Sequence, residues 1–178
     1  LTAVRRDGTP LPVEVRVSPL SIDGKTIFSA FLHDITERKQ VEAIREHEAT
    51  HDPLTGLLNR RGMFDLLSQA IARVTRTRAS LALLFIDLDG FKQINDTHGH
   101  EAGDAVLREV AARLQASIRQ TDTAARLGGD EFTVILENIK HGIPDANMLA
   151  QKILETLQHP IQLDSVTATI SASIGISM

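Results

Sequence analysis

Runs of apolar residues and stretches of alternating polarity divide the chain into predicted strands and helices. Six consecutive apolar residues begin at Leu81 and end before Asp87, which predicts a strand buried on both faces. Apolar and polar residues alternate from Val13 to Val17, which is typical of a half-buried strand. Three longer segments repeat apolar residues at helical spacing: Arg61 to Thr77, Gly99 to Arg119 and Asp145 to Gln158.

The apolar side of each of these helices is expected to face one core. The residues expected to point inward are Met63, Phe64, Leu67, Ile71 and Val74, then Val106, Leu107, Val110 and Leu114, then Leu149, Ile153, Leu154 and Leu157. Further elements are predicted as strands from Thr123 to Arg126, Phe132 to Leu136 and Val166 to Ile176, with a short helical turn from Phe91 to Asp96. The order βααββαβ indicates an α+β, ferredoxin-like fold with a mostly antiparallel sheet.

The first 35 residues predict a small sheet. Its strands run from Thr2 to Arg6, through Val13 to Val17 and from Ile27 to His33, with turns at Asp7-Gly8-Thr9-Pro10 and Asp23-Gly24. Because three strands alone are marginally stable, we expect the rest of this sheet to lie upstream of Leu1.

A charged helix is predicted from Thr36 to Thr50, with Thr36 as its N-cap. Val41 and Ile44 form a thin apolar stripe that is too short to establish a coiled coil. Two interpretations remain: a solvated connector, or a signalling helix that pairs with its copy in a dimer.

Composition narrows the function classes. The chain has 178 residues, so one domain, or one domain plus a fragment, is expected. It is 42% hydrophobic without Trp or Tyr, which predicts an aliphatic core, and its net charge of −4 argues against nucleic acid as the main partner. The absence of cysteine excludes disulfides and thiolate metal sites. No apolar run approaches the roughly 18 residues of a membrane span, so we expect no membrane contact and a cytoplasmic location, although a longer parent protein could carry an anchor.

The segment from Arg126 to Phe132 joins two predicted strands through Gly128 and Gly129. Glycine supplies the positive φ that a tight hairpin needs, and a turn without side chains lets a ligand approach the backbone N–H groups. By itself this pattern fits a solvated hairpin equally well.

Acidic residues cluster around the same predicted turn. Asp87 and Asp89 alternate at the end of the buried strand and so point to one side. If the hairpin pairs with this strand, Asp130 would face Asp87. Converging carboxylates repel unless a cation lies among them, and Mg²⁺ prefers oxygen ligands.

With these residues in view, the chain resembles the GGDEF family of diguanylate cyclases, which join two GTP into cyclic di-GMP. The signature is Gly128-Gly129-Asp130-Glu131-Phe132, and three further motifs follow the family order: Asp52 to Arg60, Asp87 to Lys92 and Ile94 to Asp104. The resemblance covers Thr50 to Met178 and implies a nucleotidyl-cyclase version of the ferredoxin-like fold. It also implies that Asp52, Asn59 and Arg60 are mainly structural.

The resemblance implies a two-metal site. Asp87, the Leu88 carbonyl, Asp130 and Glu131 would hold two Mg²⁺ ions, with Mn²⁺ as a possible substitute. Asp130, Glu131 and Lys92 would be catalytic: Asp130 as the base, Glu131 as a supporting ligand or positioner, and Lys92 as a phosphate contact. Asp89 would support the ligands. The alternative for Lys92 is a surface lysine.

Guanine recognition is assigned by the same resemblance to Asn95, Asp104 and His100. A carboxylate can accept from guanine N1–H and the 2-amino group, a pair of donors that adenine lacks. A zinc pair of His98 and His100 is the disfavoured alternative, because hard oxygen ligands surround them. The other candidate substrate-binding residues are Phe91, Gly128, Gly129 and Arg126.

Arg119 and Asp122 form an Arg-x-x-Asp sequence with five residues between it and Gly128, which is the spacing of the family's inhibitory product site. Arginine can stack on guanine and bond to it, while the aspartate accepts its N–H groups. A salt bridge at a helix end is the alternative.

The segment from Arg6 to Lys39 looks like the C-terminal half of a PAS sensor domain. The resulting domain prediction is a PAS-like part at 1–35, a connector at 36–50 and a GGDEF domain at 51–178. Similar domains continue with one more helix and strand, so we expect a truncated, poorly active piece of a longer protein, to which an EAL-type phosphodiesterase domain could be attached.

The predicted function is a diguanylate cyclase that acts as a homodimer through its GGDEF domains and its PAS and connector regions, with cyclic di-GMP as feedback ligand. The alternative is a non-catalytic module that binds GTP or cyclic di-GMP and regulates an attached domain. A mononucleotide cyclase is disfavoured by the Gly-Gly-Asp-Glu-Phe turn. The sequence does not indicate which signal the PAS-like part senses.

Overall fold

The computed structural model describes residues 1–22, 25–77, 79–163 and 166–178. The predicted Asp23-Gly24 turn lies outside these residues. The chain divides into two compact units, Leu1–His47 and Glu48–Met178. None of the helices within the described ranges has the length and apolar character needed to cross a bilayer.

The first unit contains a three-stranded antiparallel sheet in the order β1-β2-β3. Its strands are β1 Thr2–Val4, β2 Pro10–Ile22 and β3 Lys25–Asp34. Among its described residues, the buried hydrophobic side chains are Val13 and Ile35. The burial of so few apolar side chains gives this unit a very small core.

Helix α1 spans Thr36–Thr50, as predicted, and the unit boundary falls within it. The Thr36 hydroxyl does not cap the helix as expected. Instead, it donates to the Asp34 carboxylate, which also accepts the Thr36 N–H, at 2.6 and 2.9 Å. Asp34 therefore satisfies the first free N–H group of the helix.

The second unit is an α+β domain built on an antiparallel sheet in the order β5-β6-β4-β9, with a separate β7-β8 hairpin. Its elements are α2 Arg60–Thr77, β4 Ser80–Asp89, α3 Phe91–His98, α4 His100–Ser117, β5 Thr123–Gly128, β6 Glu131–Ile139, α5 Ile143–Leu157, β7 Ile161–Leu163, β8 Val166–Ala168 and β9 Ser171–Ser177. Strand order and connections are ferredoxin-like, which confirms the predicted fold class.

The main core lies on one face of this sheet. Alternate residues of β4, among them Leu84 and Ile86, pack in one cluster with Val110 and Leu114 of α4 and Ile153 of α5. A smaller cluster on the opposite face joins α2 to the sheet through Met63, Leu83, Ala125 and Ile135. The two clusters hold the sheet between its helices by burying apolar area.

The predicted burial is wrong for several large residues. Phe64 and Ile71 of α2 are 54% and 50% exposed, because the helix faces the sheet with Met63 and Ala70 instead. Phe85 is 46% exposed, so β4 is not buried along the whole of both faces. The α2 face of the sheet is only partly covered.

The strand predicted from Val166 to Ile176 is two strands. Residues Val166–Ala168 pair with β7, whereas Ser171–Ser177 pair with β4. A period-two pattern cannot show that the pairing partner changes. Apart from β2, which is longer than predicted, the other predicted elements agree with the structure to within three residues at each end.

Candidate active site

Two carboxylates face each other where β4 ends and β6 begins. The strand register places Asp87 directly opposite Glu131, and both side chains are exposed. The expectation that Asp130 faces Asp87 is therefore wrong. Asp130 lies in the preceding turn, where its carbonyl accepts the Leu88 N–H at 3.4 Å.

The Gly-Gly turn depends on backbone conformations that favour glycine. Gly128 has φ 146° and Gly129 has φ 55°, and a Cβ at either position would meet open space. Backbone strain, rather than crowding, therefore selects glycine here. The open space above the turn leaves room for a ligand to approach the backbone.

Arg126 connects this turn to the segment after α1. Its Nε and Nη2 donate to the Gly129 carbonyl at 3.0 and 2.8 Å, and its Nη1 donates to the two Asp52 carboxylate oxygens at 3.1 and 3.2 Å. The side chains of Arg126 and Asp52 are only 12% and 18% exposed. The structure therefore engages Arg126, a predicted substrate contact, with protein groups.

Asp52 is held as a carboxylate. Burial acts to raise its pKa, but hydrogen bonds from the Thr55 hydroxyl and N–H, at 2.6 and 2.9 Å, together with Arg126, outweigh burial and leave the pKa below its ordinary value. The charge therefore persists at neutral pH.

The other charged groups near Asp87 have distinct partners. Asp89 accepts hydrogen bonds from Ser171 at 3.0 Å and Ser173 at 2.9 Å, which ties the end of β4 to β9.

Glu131 also has a charged partner, because Arg60 lies 3.6 Å from it in an exposed ion pair. Asp87 and Glu131 line a cleft of about 680 Å³ on the α2 face of the sheet.

The oxygen donors at this corner fit Mg²⁺ in their chemistry, since Mg²⁺ prefers carboxylate and carbonyl ligands. Asp87 and Glu131 are adjacent across the sheet, with Asp130 and Leu88 next to them. Within the described ranges, no three His, Asp or Glu side chains form a ready metal-ligand cluster.

Helix α3 starts directly after β4 through Gly90, which adopts the left-handed conformation with φ 78°. Phe91 is 9% exposed and belongs to the main core, while Lys92 is exposed in the first turn of α3. The predicted substrate contact at Phe91 therefore has a buried ring, and Lys92 extends toward solvent at the end of β4.

Close packing between α3 and α4 positions the predicted guanine-binding residues. Asn95 Oδ1 lies so close to Gly103 that a Cβ there would collide with it. Asp104 follows Gly103 directly and, like Asn95, is half-buried, whereas His100 is exposed. The structure therefore brings Asn95 and the Asp104 position together.

Arg119 and Asp122 lie beyond the end of α4. The Asp122 carboxylate, in a residue that is 9% exposed, accepts the Arg119 N–H at 3.1 Å, while the Arg119 side chain is exposed. Both residues line a cleft of about 300 Å³ with Met148 and Lys152. The cleft lies at the start of β5, about 20 Å from the Gly-Gly turn at strand spacing.

The family is settled by comparison with known proteins. The family model described as diguanylate cyclase, GGDEF domain, matches residues 49–178. The chain belongs to the GGDEF diguanylate cyclase family. It is 42% identical over 170 residues to the diguanylate cyclase TpbB of Pseudomonas aeruginosa, covering 93% of this chain and 39% of TpbB.

A second relative is similar over nearly the whole chain, as TpbB is. An uncharacterized signaling protein of Caulobacter vibrioides is 42% identical over 176 residues, which cover 96% of this chain and 22% of that protein. The chain thus spans between about a fifth and two fifths of the length of these curated relatives.

Solved GGDEF structures share the fold. A sensory box/GGDEF family protein from Caulobacter crescentus has a TM-score of 0.70 and 45% identity, covering 72% of this chain and 82% of that chain. The coiled coil and GGDEF domain of DgcB from Caulobacter crescentus, in complex with c-di-GMP, has a TM-score of 0.71 and 30% identity, covering 79% and 74%.

Sequence reasoning missed three contacts that organise the site: Asp52 with Arg126, Asn95 with Gly103, and Asp89 with the two serines of β9. Each joins segments far apart in sequence or on different elements. The only sequence signal was that Asp52, Asp89, Asn95, Gly103 and Arg126 lie within or beside the family motifs, and no signal marked the two serines.

Proposed function

We propose that the GGDEF unit condenses two GTP into cyclic di-GMP with release of two pyrophosphates. The observation that carries this proposal is the corner where Asp87 faces Glu131 beside the Gly-Gly turn, with Asn95 and Asp104 following the same end of β4. Two acids, an open turn and the residues proposed to bind the base therefore follow the same end of β4 in a chain of the diguanylate cyclase family.

In this proposal Asp87, the Leu88 carbonyl, Asp130 and Glu131 hold Mg²⁺, or Mn²⁺ in its place. When bound, these ions would neutralise charge at the α-phosphate and would lower the pKa of the ribose 3′-hydroxyl. Asp130 accepts the proton of that hydroxyl. Because each 3′-hydroxyl attacks the α-phosphorus of the other GTP, two P–O bonds form as two pyrophosphates leave.

The remaining residues bind and orient GTP. Asn95 and Asp104 bond to the guanine edge with His100 nearby, and the N–H groups of the turn contact phosphate oxygens. Lys92, exposed at the start of α3, adds positive charge near the transferring phosphate. Arg126 is proposed to act through the turn rather than on the substrate.

Because one domain presents one GTP, catalysis is proposed to need two copies related by a two-fold axis. Helix α1 has no buried residues, and its apolar side chains Val41 and Ile44 are 43% and 57% exposed. Pairing of this stripe with its copy would bring two GGDEF units together. This assembly, and the activity of any longer protein, belong to the proposal.

Feedback by cyclic di-GMP is proposed at Arg119 and Asp122. The exposed guanidinium of Arg119 is available to a guanine, and the neighbouring cleft of about 300 Å³ offers apolar surface at Met148. The DgcB structure, which contains c-di-GMP, shows that a relative of this fold binds this ligand.

The test is GTP turnover with Mg²⁺, followed by chromatography, for the full chain and three variants. We expect cyclic di-GMP from the parent chain, at least a hundredfold less from Asp87→Asn and Glu131→Gln, and an unchanged rate from Glu155→Gln on exposed α5. Equal rates in all four proteins would overturn the assigned site. A fourth variant, Arg119→Ala, is expected to keep the initial rate and to lose inhibition by added product.

A parent chain that binds GTP or cyclic di-GMP but forms no product would support the regulatory-module alternative. Binding is measured by calorimetry on the same samples. Release of a single-nucleotide cyclic product would instead indicate a mononucleotide cyclase.

A further inference from the structure

Among the described residues, the Asp52–Arg126 pair is the ion pair in which both side chains are least exposed. We propose that Asp52 is a positioning residue for the active site: it fixes Arg126, and Arg126 fixes the Gly129 carbonyl and with it Asp130. The expected effect on catalysis rests on the proposed cyclase function. The expected effect on the order of the turn does not.

Arg126 can hold the turn because its guanidinium is a planar fork. Two of its nitrogens donate to one carbonyl, that of Gly129, at 3.0 and 2.8 Å, and the third reaches Asp52. A lysine has a single nitrogen and cannot reproduce these directed contacts. The turn is therefore fixed by an arginine whose own orientation depends on Asp52.

Asp52 is a rigid anchor for this arginine. The backbone carbonyl of Asp52 accepts the Gly56 N–H at 2.9 Å, and its backbone N–H donates to the Leu57 carbonyl at 2.8 Å. The hydroxyl and N–H of Thr55 donate to its carboxylate. The carbonyl of Leu58, in the same segment, accepts the Arg126 N–H at 2.8 Å. This local turn is held to β5 by both backbone and side chain.

A direct contact from Arg126 to substrate is less consistent with the structure. The side chain is 12% exposed, and Nε, Nη1 and Nη2 all have protein partners. Releasing them to bind phosphate would leave the Gly129 carbonyl and a partly buried carboxylate without their charged donor. Positioning of the turn accounts for all of these contacts.

The experiment compares Asp52→Asn, Arg126→Lys and the double variant with the parent chain. Arg73→Lys is the matched control, because Arg73 also forks to a carboxylate, that of Glu137 at 3.2 and 2.7 Å, away from the turn. The readouts are NMR order parameters of the amides at 128–130, and kcat and KM for GTP. Far-ultraviolet circular dichroism checks that each variant is folded.

We expect the order parameters of the turn to fall from about 0.85 to below about 0.6 in all three site variants and to stay unchanged in Arg73→Lys. We expect kcat to fall about 10- to 100-fold with KM changed less than about threefold, since misplacement of a catalytic group by about 1 Å can cost this much. The double variant is expected to match the single variants, because both act through one linkage.

Unchanged order parameters in folded Asp52→Asn would overturn the inference. A rise in KM with constant kcat in Arg126→Lys would also overturn it, because that pattern indicates direct substrate binding. If the parent chain makes no cyclic di-GMP, the proposed function fails, while the order parameters still decide whether Asp52 positions the turn.

Discussion

At the scale of single residues, this GGDEF chain places each predicted group in a specific environment. Asp87 and Asp89 are two residues apart on one strand face, yet Asp89 is bonded to two serines while Asp87 faces another carboxylate. Sequence spacing assigned both to one acidic cluster. Their hydrogen-bond partners distinguish the two carboxylates. Asp89 is held in one orientation because it accepts hydrogen bonds from two serine hydroxyls.

Gly103 provides the first test at this scale. Gly103→Ala is expected to weaken GTP binding about fivefold, because the new Cβ displaces Asn95 and costs about one hydrogen bond, roughly 1 kcal/mol. Calorimetric titration with GTP measures the change. Glu155→Gln is the control, since Glu155 is exposed on α5. Equal affinity in all three proteins would show that Asn95 does not bind the base.

Asp52 predicts a pH dependence of stability. Because its folded-state pKa lies below its ordinary value of 3.8, its stabilising contribution is complete above that value and is lost as pH falls through the lower folded-state pKa. Asp52→Asn is therefore expected to lower the free energy of unfolding by about 1–3 kcal/mol at pH 7. The difference from the parent chain should shrink below pH 3.8.

Urea titrations followed by circular dichroism at pH 7 and in the acid range measure this difference. A gap of constant size at every pH would mean that the charge of Asp52 does not contribute.

At the scale of elements, the signature segment serves both chemistry and packing. Glu131 begins β6 on the exposed side, and the next residue, Phe132, is completely buried in the main core. Alternation along the strand produces this division. The motif therefore anchors the start of β6 in the core through Phe132, while Glu131 remains exposed to solvent.

Phe132 and Phe64 are expected to respond differently to truncation. Phe132→Ala should destabilise the domain by about 3–5 kcal/mol, because it leaves a cavity in a closed core. Phe64→Ala should cost under about 1 kcal/mol, since 54% of Phe64 is already exposed. Urea denaturation monitored by circular dichroism measures both values. Similar costs for the two variants would contradict the observed burial.

At the scale of the whole molecule, the two units differ in how much apolar surface they bury. The GGDEF unit has two hydrophobic clusters around a four-stranded sheet, whereas the described part of the first unit buries Val13 and Ile35. Stability in a small domain follows the buried apolar area. The two units should therefore open with different free energies.

Hydrogen exchange of the full chain tests this difference. Amides of β4 and β6 are expected to be protected at least a hundredfold more than those of β2 and β3, because core strands open only with global unfolding. Mass spectrometry of peptides after timed exchange gives the comparison. Equal protection in the two sheets would indicate that another source of stability holds the first unit.

The sequence by itself determined the helix positions, the ferredoxin-like order of elements and the family, because periodicity and motif spacing are local properties. Tertiary structure alone decided that Glu131 faces Asp87, that Phe64 is exposed and that the last predicted strand changes partner at residue 169. It also decided that Arg126 serves the turn through Asp52. Register, burial and long-range hydrogen bonds depend on which surfaces meet in the folded chain, and residue patterns along one segment do not contain that information.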